Sequence, residues 1–399
     1  MKTPSSPKTG KRFAVYVLGF ILTLHTVLPA YIESSYLNQI LQVDYGQSSE
    51  KIIGLLFAAA ALVGMVFLPL VTAAIRKAGN FLASSAILCL ETVSLIPLIG
   101  GLDSFPLAVI IGSFILRFAG IFWLGFTIDI FLENYSSDAN TGNIRGMFLT
   151  SANAAWLVGP MLLSLAFLNS DYWRIYAVAV VLFIPTILLM RGSLADFKDP
   201  IYKKQSMRQT IAVIRSDSNI KNIVKASFLL QFFYSVMVIY TPFYLLQHIG
   251  FSWSEIGLIF TIMLLPFVIF QLPAGLLADK KFGEKEILSL GFVIMAVSTG
   301  LLTFIESQSF LAWASILFIS RIGAALVEVM TETYFFKKIN ASQTGLLGNF
   351  RSVRPLSTIV APVIATAFLF MFDIKYIFAL LGILMFFGLR YSLAIKDSR

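Results

Sequence analysis

The chain has 399 residues, 58% of them apolar and 13% charged, with a net charge of +9, one cysteine and two histidines. Soluble domains carry about 25% charged residues, so this composition excludes a water-solvated globule and makes lipid the main solvent. The lone Cys89 excludes a disulfide framework, and two distant histidines offer neither a metal cluster nor a nucleophile–base pair, so no enzyme, metal or cofactor is expected.

Twelve apolar stretches of about 20 residues, each enough to cross a hydrocarbon core of ~30 Å, are predicted at 13–34, 52–75, 81–101, 107–132, 147–169, 172–191, 223–247, 255–278, 286–305, 309–335, 348–372 and 375–395. An all-α polytopic membrane protein follows. Met1–Arg12 is polar and basic, and the first span lacks a small-residue cleavage pattern, so no cleaved signal is expected. Of thirty Lys and Arg, twenty-five fall on the side shared by the termini, three (Lys51, Arg174, Lys375) on the other, and two (Arg117, Arg321) within spans. This asymmetry places both termini in the cytoplasm, as expected of a multi-pass plasma (inner) membrane protein. Basic residues scattered over short loops make nucleic acid an unsuitable partner.

In the first span His25, Pro29, Glu33 and Tyr36 share one helical stripe. His25 lies about 18 Å along the span, near the midplane, where it suits either a proton relay or a neutral bond to a neighbouring helix. Glu33, about 12 Å further, is read as an interfacial residue at the outer mouth. Gln39–Tyr45 is read as an outer loop lengthened by insertion. Glu91 stands deep in the third span, so it must be protonated, paired or facing water. Arg117, about 15 Å down the fourth span, stays charged and needs a carboxylate, carbonyls or an anionic substrate beside it. Gly120 and Gly125 permit close helix contact, and Trp123 is assigned to a substrate-cavity wall. Asp129 and Glu133 close the fourth span near Asp138 and Arg145. Pro160, after Gly159, removes a hydrogen bond and bends the fifth span.

Residues 192–222 form the longest polar segment and read as a cytoplasmic linker, with an amphipathic helix around Met207–Ile214 for the anionic inner leaflet. The seventh span places Gln231, Tyr234, Ser235 and Tyr240 among rings, a suitable wall for an amphipathic ligand. In the tenth, Arg321 lies near the midplane, with Glu328 about 10 Å further on the same face and Glu332 one turn beyond. These acids line a cavity or form a structural network.

Three landmarks recur at an offset of 204 residues: Leu68-Pro69 and Leu272-Pro273, Arg117 and Arg321, and the Gly46/Ser48 and Gly250/Ser252 pairs. A constant offset means an internal duplication. The expected division is 1–191, a six-helix bundle; 192–222, the inter-half loop; and 223–399, a second six-helix bundle. Between the second and third spans of the second half, Gly275, Asp279, Lys280 and Gly283 stand in a short charged loop, echoed in the first half by Arg76, Lys77 and Gly79 with Ile75 in place of the acid.

That loop resembles the signature of the major facilitator superfamily, and the duplication extends the resemblance to nearly the whole chain. LRFAGIFWLGF around Arg117 is similar to the family's fourth-helix signature; Asp138 and Arg145 match its acid-x6-Arg pattern; Gly159-Pro160 is the surviving part of its antiporter motif, with Ala361-Pro362 as the duplicate. The resemblance implies alternating access, a cytoplasmic gate built on Gly275, Asp279, Lys280, Gly283, Arg76, Asp138 and Arg145, and a ligand site between the halves. It implies a monomeric secondary transporter of a small molecule, proton-coupled through Arg117 with one of Glu91, His25 or Glu328, with Arg321 in the same central cavity. Export of an amphipathic compound is expected; uptake of a metabolite, lipid movement and a non-transporting scaffold are the rival readings.

Overall fold

The computed structural model describes residues 7–134, 141–166, 171–199, 217–278, 283–338 and 344–396. Among these the regular elements are all helical, as lipid requires of a chain that must satisfy its backbone polar groups internally. Among the described residues, eleven segments are long and apolar enough to cross a membrane. The fifth predicted span is occupied by a further long helix, Thr141–Ala166, and the array is that of a twelve-helix, multi-pass membrane protein. Large apolar side chains such as Leu70, Leu188, Phe386 and Phe387 are exposed on helix surfaces, where lipid rather than a core covers them.

The chain divides into two compact units, Met1–Ser49 with Ala59–Lys203 and Glu50–Ala58 with Lys204–Arg399. The first holds α1 (Pro7–Ala30), α2 (Glu33–Tyr45), most of α3 (Ser49–Ala78), α4 (Asn80–Ser104), α5 (Leu107–Asn134), α6 (Thr141–Ala166), α7 (Tyr172–Val181) and α8 (Phe183–Leu194). In it α1 packs on α6, α7 and α8, and α4 packs on α5 and α7. An apolar core built on Leu18, Leu88, Trp123, Phe131 and Leu194 fills the space between them.

The second unit holds the first turns of α3 and then α9 (Ser218–Tyr244), α10 (Trp253–Ile269), α11 (Gln271–Leu277), α12 (Glu284–Leu301), α13 (Phe310–Lys338), α14 (Thr344–Leu369) and α15 (Ile377–Ser392). Its packing repeats the first unit's: α12 on α13 as α4 on α5, and α9 on α14 as α1 on α6. Gly291 of α12 and Gly323 of α13 bring their backbones so close that a Cβ on either would strike the other helix.

The duplication is also written in the backbone. Gly79 has φ 86° and Gly283 φ 87°, each immediately before the helix that opens the third span of its half, and Gly46 and Gly250 both have positive φ. Side-chain-bearing residues rarely adopt that conformation, so the four glycines mark two equivalent corners in each copy.

Two expectations need correction. The first span does not end near residue 34. Pro29 has no N–H to give the preceding turn; the chain makes a short turn at Tyr31-Ile32, where the Ile32 N–H bonds to the Pro29 carbonyl (2.9 Å), and continues as α2 to Tyr45. Gln39–Tyr45 is thus the last part of a helix rather than an inserted loop. The proposed amphipathic helix at Met207–Ile214 lies outside the described residues.

Candidate functional site: buried charges in each unit

Four ionisable side chains meet inside the first unit. His25 from α1, Glu33 from α2, Glu91 from α4 and Arg117 from α5 are all at most 1% exposed. Arg117 donates from Nη1 to Glu33 Oε1, a charge-assisted bond between two fully buried groups, and its Nη2 lies 3.4 Å from the Thr26 carbonyl. His25 Nδ1 is 2.8 Å from the Ala179 carbonyl of α7, and its Nε2 faces Glu91 Oε1 at 3.5 Å. Gly120 of α5 lies against the side chain of Glu91, giving the carboxylate room beside that helix. Tyr36 of α2 lies beside them, its hydroxyl donating to the Leu98 carbonyl (2.8 Å) and its ring packed on Tyr172 and Tyr176.

Three of the four members, His25, Glu91 and Arg117, are the first-half residues to which the sequence assigned proton coupling. Glu33 is the correction. It does not face water at a mouth: at the start of α2, after the Tyr31-Ile32 turn, it is fully buried and is the partner that Arg117 required.

The second unit holds a different arrangement. Glu328 of α13 accepts a hydrogen bond from Gln271 Nε2 (2.9 Å), and the Tyr234 hydroxyl stands 3.5 Å from the same oxygen. Arg321 lies over the rings of Phe233 (4.8 Å) and Tyr234 (5.9 Å), so Tyr234 is the side chain common to Arg321 and Glu328. Glu332 and Arg354 are the charges that act on Glu328. Gln271 and Arg354 were missed by the sequence reading. Both lie inside predicted spans, at 255–278 and 348–372, and the sequence reading passed over them.

The expected cavity-wall residues separate into two groups. Tyr234 is part of the Glu328 cluster; Gln231, one turn before it on α9, is half-buried, and Ser235 turns its hydroxyl back to the Gln231 carbonyl (2.9 Å), 3.5 Å from that of Thr358. Trp123 belongs elsewhere: its indole is buried in the first unit's apolar core and donates to the Gly64 carbonyl of α3 (2.8 Å), tying two helices together. Tyr240 is likewise buried, 2% exposed, with its hydroxyl next to Thr366. Gly159 lies against Val27 of α1, and Pro160 sits inside α6.

Of the expected gate, Asp279 and Lys280 lie outside the described residues, as do Asp138 and the side chain of Arg145. Gly275 sits in α11 facing Val329, Gly283 turns the chain into α12, and Arg76 is exposed in the last turn of α3. Glu284, the departure from a basic residue, is buried and accepts from Lys337 Nζ at 2.7 Å, while its charge suits the N-terminus of α12. In the first unit the acid missing at Ile75 is supplied from afar. Asp199 accepts from the Asn80 N–H (2.8 Å) and lies against Gly79, capping α4 from beyond α8. Nearby, Asp196 is bonded by Lys11 Nζ (2.6 Å), and chiefly that hydrogen bond holds its carboxyl below the usual carboxylate range.

Two helical units of one plan, each with a buried arginine at the same place in the fourth helix of the half, define a duplicated polytopic membrane fold. Residues 223–396 match the family model described as Major Facilitator Superfamily. No curated protein sequence matches the chain. Among solved structures it is similar to a D-xylose-proton symporter (13% identity, 99% of each chain, TM-score 0.77), to the POT family transporter PepTSo (10%, 98% of each, 0.76) and to an auto-inhibited POT family peptide transporter (10%, 98% of each, 0.75). Residues 223–396 thus match the superfamily's sequence model, and the whole chain shares the fold of these solved transporters.

Proposed function

We propose that this chain is a secondary transporter that moves a small molecule by alternating access and couples the movement to protons. The observation that carries the reading is the cluster of His25, Glu33, Glu91 and Arg117, withdrawn from water and drawn from four helices. Burying charge is costly even when paired. A scaffold gains nothing from it, whereas a proton-coupled carrier requires groups whose protonation differs between states. The symporter likeness supports the same reading. The aromatic and amide side chains around Glu328 suit an amphipathic substrate.

The direction we propose is export, on the strength of Gly159-Pro160, which packs the fifth-span helix against α1. Uptake is the second reading, favoured by the likeness to a proton symporter. Purified protein in liposomes, challenged with compound pools against a lumenal pH dye, tests both. Compound entry that drives protons out of the lumen is the expected result, absent from protein-free liposomes. Entry that brings protons in with the compound replaces export by symport, and compound flux with no proton movement overturns the coupling.

A further inference from the structure

We propose that His25 and Glu91 act together as a one-proton dyad, and that the Arg117–Glu33 pair beside them is a fixed counter-charge rather than the proton carrier. The inference rests on the proton-coupled reading above and assigns the proton to particular atoms.

The tautomer of His25 comes first. The Ala179 oxygen is a carbonyl and only accepts, so the 2.8 Å contact requires the hydrogen on His25 Nδ1. Nε2 is then the nitrogen left to gain or lose a proton, and it is the one that faces Glu91 at 3.5 Å. Both Glu91 oxygens and His25 Nε2 are buried without a hydrogen-bond partner. A proton placed between them satisfies all but one of these atoms at once, as Glu91 O–H to Nε2 or as Nε2–H to the carboxylate.

Charge counting gives the same answer. Glu33 and Arg117 cancel, and neutralising either is costly: the guanidinium does not lose its proton, and protonating Glu33 leaves that cation buried alone. Ionised Glu91 beside neutral His25 leaves a net charge of −1 in a fully buried place, and one added proton returns it to zero. The neighbouring ionisable groups are Glu33 and Tyr36 from α2, Arg117 from α5, and Tyr172 and Tyr176 from α7. Arg191, in the last turn, is the one ionisable side chain of α8, and the described side chains of α6 include none. The remaining cation of α7, Arg174, is partly exposed and paired with Asp171 (3.0 Å), so among the described residues of these helices no second cation bonds to Glu91.

The duplication supplies an internal control. At the 204-residue offset that pairs Arg117 with Arg321, the positions of His25, Glu33 and Glu91 are occupied by Leu229, Met237 and Met295. All three polar groups are apolar in the other copy, although α12 and α13 pack as α4 and α5 do. The helical packing therefore does not require the dyad.

With two histidines in the chain, nitrogen-15 histidine labelling reads the proton directly. The His25 signals are assigned by comparing wild type with His25→Gln and His248→Gln in lipid nanodiscs, and followed between about pH 5 and pH 9. The expected result is a protonated Nδ1 throughout, and an Nε2 signal that changes with one midpoint. In Glu91→Met, which copies the second unit's residue, that midpoint falls by more than about one pH unit, tenfold in proton affinity; Glu91→Gln serves if the Met variant does not fold. A bare Nδ1, an Nε2 that never changes, or a midpoint indifferent to Glu91 each overturns the dyad. The measurement needs no transport, so a confirmed dyad in liposomes that move compound without protons sinks the coupling alone, and proton-driven flux with an indifferent His25 sinks the dyad alone.

Discussion

Replacing Arg117 by Met should destabilise the protein far more than replacing Arg117 and Glu33 together. Both side chains are fully buried and joined by a charge-assisted bond, so removing either strands an opposite charge with no water to receive it. Such a break costs about 3–5 kcal/mol, whereas exchanging both members of a buried pair for apolar residues is neutral or stabilising by about 1–4 kcal/mol. Methionine is the natural choice for Glu33, since Met237 occupies the equivalent position in the second unit. The four proteins of the cycle would be compared in mixed micelles by equilibrium unfolding with a denaturing detergent, followed by tryptophan emission. Arg117→Met and Glu33→Met should each lose about 3–5 kcal/mol, with the double variant near wild type or above it. A double variant as unstable as the sum of its parents would falsify the mutual neutralisation, and with it the claim that Glu33 is held ionised by Arg117.

Three further outcomes are expected. Gly283→Ala places a side chain at φ 87° and should cost about 1–3 kcal/mol in the same unfolding assay, with Gly79→Ala behaving alike because it occupies the same corner of the other copy; an unchanged midpoint in either would remove the strain argument. Asp199→Ala takes the cap from the Asn80 N–H and should lose about 0.5–2 kcal/mol, whereas Asp199→Asn, which can still accept, should lose less. The carboxyl of Asp196 lies below its ordinary value of 3.8 when folded, so its contribution is present above that value and is lost as pH falls through the folded one. Asp196→Asn should therefore weaken stability at neutral pH, narrow the difference from wild type in acid, and show a smaller difference in high salt, because the Lys11–Asp196 pair is exposed.

The spans, the repeat and the buried charges were legible because each is a local signal. A polar residue inside twenty apolar ones is visible alone, and a fixed offset needs only counting. Pairing was not legible. Arg117 and Glu33 are 84 residues apart, and His25 reaches Ala179 across 154, separations that carry no periodicity. Glu33 was misplaced because rise-per-residue arithmetic assumed one straight helix, whereas Pro29 turns the chain and lets a second helix begin at that residue. Trp123 was assigned to a cavity from ring chemistry alone; the bond from its indole to the Gly64 carbonyl is a property of two helices meeting. The cap from Asp199 had no sequence signature, since a carboxylate 119 residues away replaces one that the loop pattern puts next door.

That cap has a mechanical consequence. The chain leaving α8 is fastened to the first unit twice within four residues, by Asp196 to Lys11 at the start of α1 and by Asp199 to the first amide of α4. Between them Phe197 packs its ring against Phe131 (4.6 Å), so the segment is bolted as well as tied. A tension applied along the chain beyond residue 199 reaches the Asp199 cap before it reaches α8. In a single-molecule pulling experiment that order predicts a small early yield, abolished by Asp199→Ala, ahead of the extraction of the first long helix.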